Sequence, residues 1–102
     1  MALALVVTHE VTPGHEDAFD SLTARALEGI RSLEPGTLAY VVHSSAEHPQ
    51  RRVFYELYAD RPAFEAHEQF PHMRAFLAER PAHIDSVAVQ FLDVDDAHLR
   101  PA

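Results

Sequence analysis

Two stretches in the middle of the chain constrain its fold more than any other feature. From Thr37 to Ser45, Leu38, Tyr40 and Val42 alternate with Ala39, Val41 and His43; from Arg52 to Ala59, Val53, Tyr55 and Leu57 alternate with Phe54, Glu56 and Tyr58. β-Branched and aromatic residues dominate both, which makes them strands. The polar Glu47-His48-Pro49-Gln50 between them makes the turn of a hairpin. A sheet with one wet face alternates apolar with polar residues. These strands are apolar on both faces, so both faces need a cover. Helices of one small chain cover a single face. A second copy is the simplest cover for the other, because several exposed Tyr, Phe and Val side chains would leave a patch of roughly several hundred Å2. The sequence therefore predicts a homodimer formed sheet to sheet.

The flanking segments complete the pattern. Leu3 to Thr8 is a β-rich run. Thr12-Pro13-Gly14 predicts a helix start, with the Thr12 hydroxyl as cap, Pro13 in the first turn and Glu16 and Asp17 near the positive end of the dipole. Phe19, Leu22, Ala26, Ile30 and Leu33 draw one apolar stripe along that helix, and Pro35-Gly36 ends it. Asp60 caps a second helix through Ala63, Phe64 and His67; Pro71 breaks it, and another helical piece runs from His72 to about Glu79. Ser86 to Val94 is again β-rich, and a polar end follows from Asp95 to Ala102. The order β-α-β-β-α-β predicts an α+β, ferredoxin-like fold, a four-stranded antiparallel sheet with helices on one face, as one domain over residues 1–102.

Charge and composition narrow the partners. A formal net charge of −8 opposes phosphate backbones and anionic lipid, so neither nucleic acid nor membrane is an expected partner. Cysteine is absent, which removes thiolate nucleophiles and Cys-ligated metals. Met1 to Thr8 lacks a basic leader and runs into His9 and Glu10, so it reads as a strand and not a signal peptide, and a cytoplasmic location is expected. Eight histidines invite a metal reading, but His67 and His72 stand five apart across Pro71, where the zinc-protease helix needs two histidines four apart. No metal site is predicted.

The run from Phe54-Tyr55-Glu56-Leu57-Tyr58 through Ala63-Phe64-Glu65-Ala66-His67 to Pro71-His72 resembles the antibiotic biosynthesis monooxygenase-like domains, particularly their quinol monooxygenase branch. The Pro13-Gly14 turn and the Pro35-Gly36-Thr37-Leu38-Ala39-Tyr40 strand entry extend the resemblance over nearly the whole chain. It implies a dimeric α/β barrel of ferredoxin-like subunits, each with a pocket between sheet and helices. It also implies an enzyme that oxidises a quinol, anthrone or related phenol with O2 and without a cofactor. The haem-degrading branch carries an asparagine, a tryptophan and a histidine where this chain has Val7, His67 and Leu77, so haem cleavage is not expected. The aromatic-polyketide branch carries an asparagine and a tryptophan where this chain has Ala63 and His67.

Such chemistry needs a base and a dry pocket. His67 is the expected base, because its ordinary pKa of ~6.5 suits proton transfer at neutral pH and the resemblance places it on the helix that closes the pocket. Glu56, an acid inside an apolar strand, needs a partner, and His67 is the expected one, with Glu56 orienting it. His72, Tyr40, Phe54, Tyr58, Phe64 and Phe70 are the expected pocket lining. His9 and His43 read as ordinary strand residues. Two other functions fit the same residues: a non-catalytic small-molecule-binding or dimerisation module, and a cofactor-free isomerase or cyclase.

Overall fold

The structure, a computed structural model, describes residues 1–100; Pro101 and Ala102, the last two residues of the expected polar end, lie outside the described residues. The elements run β1 (Leu3–Val11), α1 (Glu16–Leu33), β2 (Thr37–Ser44), β3 (Arg51–Tyr58), α2 (Arg61–Gln69), α3 (Pro71–Glu79), a short 3-10 turn (Arg80–His83) and β4 (Ile84–Asp93). The strands form one antiparallel sheet in the order β2-β3-β1-β4, the ferredoxin-like arrangement.

The register settles which residues share a face. Leu5 lies beside Glu56 on one side and Phe91 on the other, and Val7 beside Phe54 and Val89. Tyr40 pairs with Glu56 and Val42 with Phe54. These residues, with Leu3, His9 and Tyr58, face the helices. The opposite face carries Ala4, Val6 and Thr8 flanked by Val53, Tyr55 and Leu57, with Val41 on one edge strand and Leu92 on the other.

Helix α1 lays Phe19, Leu22, Ala26 and Ile30 into the core, where they meet Leu3, Leu5, Val7, Phe54, Met73 and Phe76. Leu33, expected on the same stripe, is instead exposed at the last turn. The helix also starts later than its Pro-Gly signal suggests. Gly14 takes a left-handed φ of 91°, which turns the chain and delays the helix to Glu16, and the Thr12 hydroxyl bonds the Asp85 carboxylate at 2.8 Å instead of capping. The expected break between α2 and α3 is present: Phe70 is extended ahead of Pro71, and Asp60 caps α2 by accepting from the Ala63 N–H at 2.8 Å. Strand β4 begins at Ile84, two residues before the expected Ser86, because Ile84 pairs with Val11. Among the described residues no helix is long and apolar enough to cross a membrane.

Candidate active site

A cavity of about 170 Å3 lies between the helix-facing side of the sheet and helices α2 and α3. Leu5 and Val7 of β1, Tyr40 of β2 and Glu56 of β3 form its floor; Phe64 and His67 of α2 with Met73, Phe76 and Leu77 of α3 form its roof. Arg80 closes one wall, and Val89 and Phe91 on the exposed β4 strand, with Glu68, complete the lining. The lining is mostly hydrocarbon and aromatic, with a few converging polar groups, the composition of a small-molecule site.

Four of the eight expected site residues meet there: His67, Glu56, Tyr40 and Phe64. The other four do not. Phe54 is buried one layer deeper, its ring 4.5 Å from that of His9 and 5.6 Å from that of Tyr40. Tyr58 is fully buried, packed on His67 at 5.0 Å and Phe64 at 5.3 Å. His72 turns away toward α1, and Phe70 stacks on it at 5.4 Å at the joint between the helices. Alternation along β3 explains Phe54 and Tyr58: both share a face with Glu56, yet α1 and α2 cover them where the cavity leaves Glu56 open.

The expected pairing of Glu56 with His67 is not what the structure contains. Glu56 accepts a 2.5 Å hydrogen bond from the Tyr58 hydroxyl. His67 Nδ1 instead meets Glu34 Oε1 at 2.5 Å, and the other Glu34 oxygen takes His72 Nε2. The Thr37 hydroxyl donates to Glu34 Oε1 at 2.6 Å. Glu34 is thus a buried carboxylate with three polar neighbours, and it fixes His67 with its Nδ1 side toward α1. Glu34 is a residue that sequence reasoning missed, although a signal existed. An acid following the last turn of a helix opposes the helix dipole, so it needs a compensating reason to be there. Arg80 was missed as well, because an arginine ending a helix is unremarkable on dipole grounds.

Burial sets the proton affinities. The His67 pKa is lowered, first by burial and against the opposing pull of Glu34, so the ring is neutral at neutral pH. Burial raises Glu56 from 4.5 to about 7, with the Tyr58 hydroxyl and Arg80 pulling it back only in part. Tyr40 is pushed well above its usual range by burial and by the charge of Glu56. His9 and His43 behave as expected for strand residues in that neither lines the cavity: His9 is buried against Phe19 and Phe54, and His43 Nδ1 bonds the Val53 carbonyl at 2.9 Å. Among the described residues no group of three or more His, Asp or Glu side chains is arranged to hold a metal ion.

A ferredoxin-like sheet with a small apolar cavity, a His-carboxylate pair on one wall and a buried glutamate of raised pKa on the floor defines a class of small-molecule-binding α+β proteins. Residues 2–79 match the family model for antibiotic biosynthesis monooxygenase, and the chain belongs to that family, with a monooxygenase-like role in general terms. The fold is shared with a candidate antibiotic biosynthesis monooxygenase from Bacteroides thetaiotaomicron (TM-score 0.90, 18% identity, covering 99% of this chain and 96% of that one). It is shared also with the Rv0793 protein of Mycobacterium tuberculosis (TM-score 0.88, 24% identity, 95% and 98% covered). The PA3566 protein of Pseudomonas aeruginosa matches with a TM-score of 0.81 at 25% identity, 89% and 91% covered. No curated protein matches the chain.

Proposed function

We propose that the chain is a cofactor-independent monooxygenase of the quinol monooxygenase branch, oxidising a small phenol or quinol with O2 in the cytoplasm as a homodimer. The observation that carries this reading is the His67–Glu34 pair on the wall of a largely apolar cavity. With Nδ1–H donated to the carboxylate, the neutral ring keeps its Nε2 lone pair for a substrate hydroxyl, and Glu34 stabilises the imidazolium that proton transfer creates. The first step moves the phenol proton to His67. The resulting phenolate passes one electron to O2, and recombination forms a carbon–oxygen bond. Loss of water leaves a quinone, so one oxygen atom enters the ring and the other leaves as water. The substrate supplies all four electrons that reduce O2. Glu56, with a pKa of about 7, is a second proton site within the same cavity. A cavity of about 170 Å3 suits one ring better than the three of an anthrone, since an apolar cavity of about 150 Å3 holds benzene.

Oxygen uptake with a panel of phenols and quinols tests this. His67→Ala is expected to lower the rate by about 10²-fold or more, the usual contribution of a positioned base. If no panel member supports uptake above that of a His67→Ala, Glu34→Gln double variant, the reading fails.

A further inference from the structure

Arg80 stands apart from the chain's other half-buried arginines. Arg51 and Arg52 are paired with Glu10 and Asp20, at 2.6 and 2.9 Å. Arg80 lines the cavity together with Glu56 and Glu68 and feels the charge of both, yet forms an ion pair with neither. Its Nε is the one buried side-chain nitrogen or oxygen among the described residues without a hydrogen-bond partner. Its guanidinium lies 5.7 Å from the centre of the Phe76 ring, and its Nη1 meets His9 Nε2 at 3.4 Å.

His9 shows why that contact does not complete Arg80. Its Nδ1–H donates to the Arg52 carbonyl at 3.2 Å, which leaves Nε2 as the acceptor for Arg80. Burial holds the His9 pKa down at about 4, so the ring is neutral and offers a lone pair without a charge. His9 therefore aims Arg80 without neutralising it. The Arg80 Nε is unpaired but buried out of a ligand's reach, so a carboxylate in the cavity meets the guanidinium through its terminal Nη groups. Glu56 and Glu68 act on Arg80 only through space, so this partly desolvated cation keeps room for a directly bonded anion.

We propose that the cavity's ligand is a hydroxylated single-ring aromatic acid whose carboxylate sits on Arg80. The ring occupies the space between Phe64 and Phe76, and the hydroxyl reaches the His67 and Glu56 side of the cavity. Only the hydroxyl's fate rests on the monooxygenase reading; the carboxylate site stands on Arg80 alone.

Calorimetric titration of the full chain at neutral pH with 4-hydroxybenzoate and its neutral isostere 4-hydroxybenzamide separates the two. The carboxylate is expected to bind about tenfold or more tightly than the amide, the usual worth of a charge-assisted hydrogen bond. Arg80→Met should bring the two affinities together, with the acid losing far more than the amide, and Arg80→Lys should keep part of the preference. Thermal melts of both variants report whether they fold. Equal affinities in the unaltered protein, a preference that survives Arg80→Met, or no binding of either probe at millimolar concentration would each overturn the proposal. Binding of the acid without oxygen uptake sinks the monooxygenase reading alone. Oxygen uptake that proceeds while the acid and the amide bind equally well sinks the carboxylate site alone.

Discussion

Burial lifts the Glu56 pKa from 4.5 to about 7, with the Tyr58 hydroxyl and the charge of Arg80 opposing it only in part. Between those two values the folded chain keeps a proton that the unfolded chain has lost, so this residue makes stability fall as pH rises from about 4.5 to 7. The difference is roughly 3 kcal/mol at full ionisation. Glu56→Gln keeps an acceptor for Tyr58 and removes the charge. It should match the unaltered protein near pH 4.5 and exceed it by about 1–3 kcal/mol at pH 8, read by urea denaturation at both values; an unchanged difference would show that Glu56 is not desolvated. Glu34 is the opposite case, a carboxylate that its neighbours require. Glu34→Gln turns an amide N–H toward one of two imidazoles and is expected to cost about 1–3 kcal/mol. A neutral result in the same denaturation series would count against the three-way arrangement. His67 and Phe64 were legible from the helix motif and Glu56 as an acid in an apolar strand, while strand alternation grouped Glu56 with Phe54 and Tyr58 without telling which face meets the helices. Glu34 and Arg80 were not legible, since their partners lie 33 and 71 residues away in sequence.

At the scale of elements, α1 and α3 meet through an unusually close contact. A Cβ on Gly29 would run into the His72 ring. Glycine inside a helix costs about 1 kcal/mol against alanine, and the closeness of the His72 ring, which also bonds Glu34, is the reason the sequence tolerates it. Gly29→Ala gains in helix propensity yet overpacks the contact, a penalty of about 1–3 kcal/mol. It should lower the melting temperature and shift the His72 ring resonances, and a higher melting temperature would refute the packing argument. The strand hairpin, the apolar stripe of α1 and the break at Pro71 were all readable because they rest on local periodicity and on proline. The start of α1 and the start of β4 were not, because a tertiary contact decides both: Thr12 is drawn to Asp85, and Val11 pairs with Ile84.

At the scale of the molecule, the register arranges the helix-free face in rows. Val41, Tyr55 and Val6 form one row and His43, Val53 and Thr8 the next, with Arg51 and Glu10 paired at the rim at 2.6 Å. An apolar centre with a charged rim is the anatomy of an interface. Strand β4 differs: its Val87, Val89 and Phe91 are exposed on the helix side, where Phe91 packs edge-on against Phe64 at the cavity wall. Two apolar surfaces therefore compete for the role of dimer interface, and only the helix-free one leaves the cavity open. Val41 discriminates between them, because it is 45% exposed and so can be changed without disturbing the core. The unaltered protein should sediment at about twice the 11.4 kDa chain mass at micromolar concentration. Val41→Glu should sediment as a single chain with an unchanged far-ultraviolet circular dichroism spectrum. A monomeric unaltered protein would remove the dimer altogether. A Val41→Glu dimer would move the interface to β4, where it would cover Phe91 and force substrate to enter the cavity by another route.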